Sequence, residues 1–179
     1  MTAREALLDP TGMDERAADG TLAPRPVTLR GLRVGLLDNT KANATTLLKN
    51  IGEEMTRQFG VAETRLYTKD YFGTPVKDEL LKQIADECDV VVTAVGDCGS
   101  CSAATVADGV LFERAGVPTV SICSDSFMMS GAAMAQVQGF PGFDFLTVQH
   151  PVASLDADQL RDRARAAMPD IARILGVED

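Results

Sequence analysis

Uninterrupted apolar runs are short in this sequence. Stretches such as Val90-Val91-Val92 fall far below the ~18 residues that a membrane span needs, so no span is expected. The N-terminal MTAREALLDP lacks the apolar h-region of a secretory signal. Basic charge is also scarce: 17 Lys and Arg stand against 26 Asp and Glu, a net charge of −9. Nucleic acids and anionic membrane surfaces attract a basic face, so neither is expected as a partner. Histidine occurs once and Cys-x-x-Cys once. Zinc takes three or four ligands, so no metal is expected, nor is any other cofactor. The four cysteines, without an export signal, read as free thiols in a reducing cytoplasm rather than as a disulfide framework. What is present is ordinary for a globular domain: 45% hydrophobic and 24% charged residues over 179 positions, enough for one buried core.

Residues 1–30 show no sustained period of 2 or 3.6 and carry Asp9-Pro10, Gly12, Gly20 and Pro24-Arg25-Pro26. They read as an N-terminal arm, either a flexible leader or a segment that packs on a partner subunit. From residue 31 to 179 strands and helices alternate. Leu32–Leu37 is a short apolar run of the kind buried on both faces of a sheet. Leu47, Leu48, Ile51, Met55 and Phe59 set a helix over 43–59, stopped by Gly60. Val61–Thr68 is a more polar strand, expected at an edge. A helix over 77–87 leads to Val90–Val95, the most β-prone run. A helix from about Ser102 to Ala115, a strand over Thr119–Cys123, a small-residue helix over 126–138, a strand over 145–148 and a charged helix over 155–175 complete the order. This pattern predicts an α/β fold, a flavodoxin-like doubly wound parallel sheet of five strands in the order 2-1-3-4-5. Ligands of such sheets bind beyond the carboxyl ends of the strands, near the switch point between the first and third.

Chemistry concentrates at those ends. The third strand exits into Gly96-Asp97-Cys98-Gly99-Ser100-Cys101 and then a helix. Unpaired N–H groups and the positive dipole end at a helix start stabilise a thiolate, so Cys98 is the candidate nucleophile. Cys101, three residues on, is placed to resolve a mixed disulfide. Asp97, Gly99 and Ser100 complete the loop as candidate binding groups. Cys88 and Cys123 read as packing residues. After the first strand, Asp38, Asn39, Thr40, Lys41 and Asn43 combine a carboxylate, amides, a hydroxyl and an ammonium. Some of these are natural helix caps, whereas Lys41 suits a substrate carboxylate. Ser124, after the fourth strand, is a further candidate binding group, as are the five residues named after the first. His150, the one histidine, follows the fifth and is the candidate acid–base group.

Five segments in this order resemble the UGSC family, whose members carry selenocysteine or cysteine in a U/C-Gly-Ser-Cys loop. They are Leu8-Asp9-Pro10-Thr11-Gly12, Arg33–Lys41 with Asn43, Gly96–Cys101, Gly116-Val117-Pro118-Thr119-Val120, and His150-Pro151. The resemblance implies that Cys98 matches the position some relatives fill with selenocysteine, a residue used where a low-pKa redox nucleophile is needed. More distantly, the family is similar to selenoprotein subunits of glycine-reductase-type complexes, in which a selenolate attacks an activated carbon. This chain departs in having Cys at that position and in an insertion-like Tyr71-Phe72-Gly73 segment. A looser likeness is to aspartate/glutamate racemases, which use one Cys from each of two lobes.

The expectation is a thiol-dependent enzyme acting on a small, carboxylate-bearing substrate by reductive or lyase-type chemistry. Cys98 is its nucleophile, Cys101 its resolving thiol and His150 its acid–base group; a thioredoxin-like reductant would reset the pair. Two alternatives stay open: a cofactor-independent racemase or isomerase using cysteine proton transfer, and a non-enzymatic redox-sensing module. A homodimer or higher homo-oligomer is expected.

Overall fold

The computed structural model describes residues 20–177. The Leu8–Gly12 segment therefore lies outside the described residues. Five strands, β1 (Arg33–Asp38), β2 (Glu63–Thr68), β3 (Val90–Gly96), β4 (Thr119–Ser124) and β5 (Leu146–Val148), pair in parallel in the order β2-β1-β3-β4-β5. The expected order is the one found, and β2 is an edge strand. β1, β3 and β4 are buried along nearly their whole length, which is why they read as continuous apolar runs rather than alternating ones.

Helices α1 (Ala44–Phe59) and α5 (Ala157–Leu175) cover one face of the sheet. Leu47, Leu48, Ile51 and Met55 of α1 meet Leu160, Met168 and Ile171 of α5 over Val34, Leu36, Val90 and Val92. Each such side chain contributes roughly 1.5–3 kcal/mol by leaving water. The other face carries α2 (Asp78–Glu87), α3 (Gly99–Arg114) and α4 (Met128–Val137). α3 is buried on nearly every side, from Cys101 through Val106 and Val110 to Phe112. Gly109 permits this closeness, because a Cβ there would stand 2.2 Å from the Ser121 hydroxyl.

Most element boundaries shift by a residue or two from the sequence reading, and three of the shifts have a visible structural setting. α3 begins at Gly99 rather than about Ser102, because Cys98 caps it with its own side chain. The segment after β4 opens as a 3-10 turn, Asp125–Phe127, before α4 starts at Met128. α5 starts at Ala157 because Asp156 and Gln159 form a reciprocal capping box. No helix among the described residues is long and apolar enough to cross a membrane.

The described part of the arm lies against its own domain. Glu113, with its side chain fully buried near the end of α3, accepts from Ala23 N at 2.7 Å, Arg25 Nη1 at 2.8 Å and Thr119 N at 2.8 Å. Leu29 is part of the core. A carboxylate buried this deeply is tolerated because several donors replace its water. Glu113→Ala leaves those donors unmatched and is expected to cost about 3 kcal/mol. Denaturant unfolding together with limited proteolysis checks this: cleavage near residues 20–30 should accelerate in the variant. Unchanged stability would mean that the arm is held by other contacts.

Candidate functional site

β3 ends at Gly96 and α3 begins at Gly99, so Asp97 and Cys98 form the whole turn. Gly96 is required by packing: a Cβ there would lie 2.6 Å from Cys123 Sγ and 2.7 Å from the backbone of Ser102. Cys98 caps α3, its sulfur accepting from Cys101 N at 3.3 Å, with the Ser100 hydroxyl 3.7 Å away. Cys98 and Cys101 are joined as a disulfide, their Cα atoms 5.2 Å apart. The expectation of four free thiols therefore holds for Cys88 and Cys123 alone. The two sulfurs of the pair differ in access. Cys98 is half-buried whereas Cys101 is fully buried, so an incoming group meets Cys98. Above the loop there is room: a Cβ on Gly99 would meet only the Ser130 hydroxyl, at 3.7 Å.

Cys88 and Cys123 pack in the interior, as their positions suggested. Burial pushes the Cys123 thiol up to about 12, although hydrogen bonds with Ser102 and the Gly96 backbone pull it down. Burial also raises Cys88, which Tyr67 partly opposes.

His150 stands on the loop between β5 and α5, at the same sheet end. Its Nδ1 lies 3.0 Å from Asp97 Oδ1 and 3.1 Å from Ser124 Oγ, and the Phe127 ring meets the imidazole edge-on at 5.4 Å. The backbone N–H of His150 donates to Asp125 Oδ1 at 3.1 Å. Asp97 is 7% exposed, and its second oxygen accepts from Val152 N at 3.0 Å and Ala153 N at 2.8 Å. Both oxygens are thus occupied by the His150 loop. Ser124 is fully buried and donates to Gly96 O at 3.2 Å. Asp97 and Ser124 are thus both buried and both in contact with the histidine.

The residues after β1 divide in the same way. Asn39 is fully buried, its amide donating to Val95 O at 2.9 Å and Thr105 Oγ1 at 3.3 Å, and its carbonyl accepting from Lys41 N. Asp38 accepts from Thr40 N at 2.7 Å and from the Thr45 hydroxyl. Asn43 occupies the N-cap position of α1, yet its amide does not cap. It donates to Val152 O at 3.0 Å and Leu155 O at 2.9 Å, a second grip on the His150 loop. Thr40 is exposed, with a φ of 67° that β-branched residues rarely adopt. Lys41 forms no ion pair among the described residues, and its ammonium lies 5.0 Å over the Phe72 ring. The segment bearing Phe72 is clamped at both ends by Asp108 of α3, which accepts from Lys69 Nζ at 2.5 Å and Val76 N at 2.6 Å. Burial pushes Asp108 up, to about 6, although the Lys69 ammonium pulls it down.

The sheet end thus presents Cys98, Gly99, Ser100, His150, Thr40 and Lys41 at or near the surface. Asp38, Asn39, Asp97 and Ser124 lie behind them, and the Asn43 amide is committed to the His150 loop. Phe127 escaped the sequence reading, since nothing distinguishes it from other residues of a strand-to-helix turn. Clefts of about 440, 410 and 280 Å³ lie elsewhere, against α5, between α4 and β5, and beside the 68–80 segment; none is lined by Cys98 or His150. Among the described residues, no group of three or more His, Cys, Asp or Glu is placed to hold a metal ion.

One sequence family matches this chain, the UGSC family, over residues 6–177, nearly the whole length. No curated protein matches it.

The site's asymmetry gives a direct expectation. After reduction and brief exposure to limiting iodoacetamide at neutral pH, peptide mapping should find Cys98 labelled first. Cys88 and Cys123 should stay unlabelled until the protein is unfolded, because burial keeps them protonated and covered. Equal labelling of all four thiols would contradict an activated Cys98.

Proposed function

We propose that this chain, which belongs to the UGSC family, is a thiol-dependent enzyme that reduces a small carboxylate-bearing substrate at Cys98. The observation that carries this reading is the Cys98–Cys101 pair at the start of α3. Its outer sulfur is accessible, its inner sulfur is buried, and a histidine is anchored to the residue just before it.

In the reduced protein, the start of α3 favours a thiolate at Cys98, through the N-terminal dipole and the Cys101 N–H. That thiolate attacks an electrophilic carbon of the substrate. A carbon–sulfur bond forms, and the leaving group departs with its electron pair. The Cys101 thiolate then attacks Cys98 Sγ. The sulfur–sulfur bond forms as the carbon–sulfur bond breaks, and the released carbanion takes a proton from His150. Two electrons pass from the dithiol to the substrate. A thioredoxin-like dithiol resets the disulfide by attacking the exposed Cys98 sulfur. Lys41, unpaired among the described residues of an acidic chain, holds the substrate carboxylate beside Phe72.

The geometry favours this over a racemase-like proton shuttle. Inverting a carbon needs an acid and a base on opposite faces, whereas two bonded sulfurs stand on one side of any substrate.

Three substitutions test the roles. Cys98→Ser should abolish turnover while thermal unfolding stays within about 1 kcal/mol of wild type, since Ser caps helices well. Full turnover in that variant would remove Cys98 as the nucleophile. Cys101→Ser should stop after one addition, with the substrate trapped on Cys98 as a mass increase and no reduced product released; sustained turnover would instead indicate redox-neutral chemistry. Lys41→Met should raise KM by roughly tenfold or more with stability unchanged. An unaltered kcat/KM would remove Lys41 from substrate binding.

A further inference from the structure

We infer that Asp97 is a positioning residue that fixes His150 with its proton on Nδ1 and offers Nε2 as the acid–base atom. This deepens the reading above and rests on it where it assigns Nε2 a part in catalysis. The hydrogen-bond inventory around the imidazole supports the tautomer independently of that reading. An ionised carboxylate accepts and cannot donate, so the 3.0 Å contact between Asp97 Oδ1 and Nδ1 requires the proton to sit on Nδ1. Ser124 is compatible with the same tautomer. Its hydroxyl has a second outlet for its proton in Gly96 O at 3.2 Å, so at 3.1 Å from Nδ1 it is free to accept from a ring N–H there. Two acceptors facing one ring nitrogen leave Nε2 without a partner among the described residues.

The carboxylate itself has no freedom to turn away. Its other oxygen is fixed by Val152 N and Ala153 N, and Asn43 holds the carbonyls of Val152 and Leu155 from the opposite side. Asp97 is also the residue directly before Cys98. One carboxylate therefore sets the position of the acid–base loop relative to the thiol-bearing turn, although the two are more than 50 residues apart in sequence. The other charged group facing this histidine, Asp125, binds its backbone N–H rather than the ring. When the tautomer of an imidazole is set by the bond at one nitrogen, the chemistry of the other is set with it.

The single histidine makes the test direct, because the imidazole ¹⁵N spectrum of the labelled protein contains one residue. At alkaline pH, where the imidazole is neutral, wild type should show one form, protonated at Nδ1 and unprotonated at Nε2. Ser124→Ala keeps the carboxylate and should retain that form. Asp97→Asn should lose it as the sole form, with the Nε2-protonated form gaining population. A wild-type protein protonated mainly at Nε2 would overturn the inference. So would an Asp97→Asn protein that is folded and spectrally unchanged. Should Asp97→Asn fail to fold, the wild-type and Ser124→Ala spectra still decide the tautomer. The catalytic part is separable: in reduced protein, His150→Ala should alter the pH profile of Cys98 alkylation by iodoacetamide. An unchanged profile alongside the expected tautomer would refute the acid–base role and leave the positioning of the ring intact.

Discussion

Asp97 is the constraint on which the site depends. A carboxylate buried at the end of a parallel strand is costly unless every oxygen lone pair finds a donor. Here the donors come from one loop, the His150–Ala153 segment. Satisfying the charge and placing the histidine are therefore one event. The same residue begins the turn into α3, so the thiol pair inherits its position from the same anchor. Remove the side chain, and three donors of the loop lose their acceptor at once.

Around this anchor the fold supplies rigidity. The turn from β3 to α3 is short because Gly96 lets the strand run close against Ser102 and Cys123. The helix that follows is enclosed by the sheet, α2 and α4, so its first turn is held firmly where the disulfide sits. Asp108 extends that enclosure to the segment after β2, gripping both of its ends and so setting Phe72 under Lys41. Sulfur, imidazole and ammonium are thus each fixed through a buried acidic or amide side chain one layer below.

That layering explains what could be read in the sequence. The apolar periodicity of Leu47, Leu48, Ile51 and Met55, and the continuous runs at β1 and β3, report burial directly; the alternation of strands and helices followed from them, whereas the strand order came from the arrangement that five-stranded doubly wound sheets usually adopt. The Cys-Gly-Ser-Cys loop was legible because its residue types are rare and its place after a strand is diagnostic. Asp38, Asn39, Asp97 and Ser124 were legible as polar residues at strand ends, but not as supports. Whether such a side chain faces substrate or backbone depends on where another loop's N–H and C=O groups lie. For Asp97 those groups are 55 and 56 residues away. The start of α3 was placed late for a local reason: cysteine is an uncommon cap, so nothing in the residue types marked Cys98 as the helix boundary.

The most direct test of the thiol–disulfide chemistry is a redox titration of the whole chain against glutathione, read by the masses of the cysteine-containing peptides. The Cys98–Cys101 peptide should pass between dithiol and disulfide in one two-electron transition, with Cys88 and Cys123 unmodified throughout. A stable glutathione adduct on Cys98 that never closes onto Cys101, or a pair indifferent to the applied potential, would contradict a catalytic couple at this site.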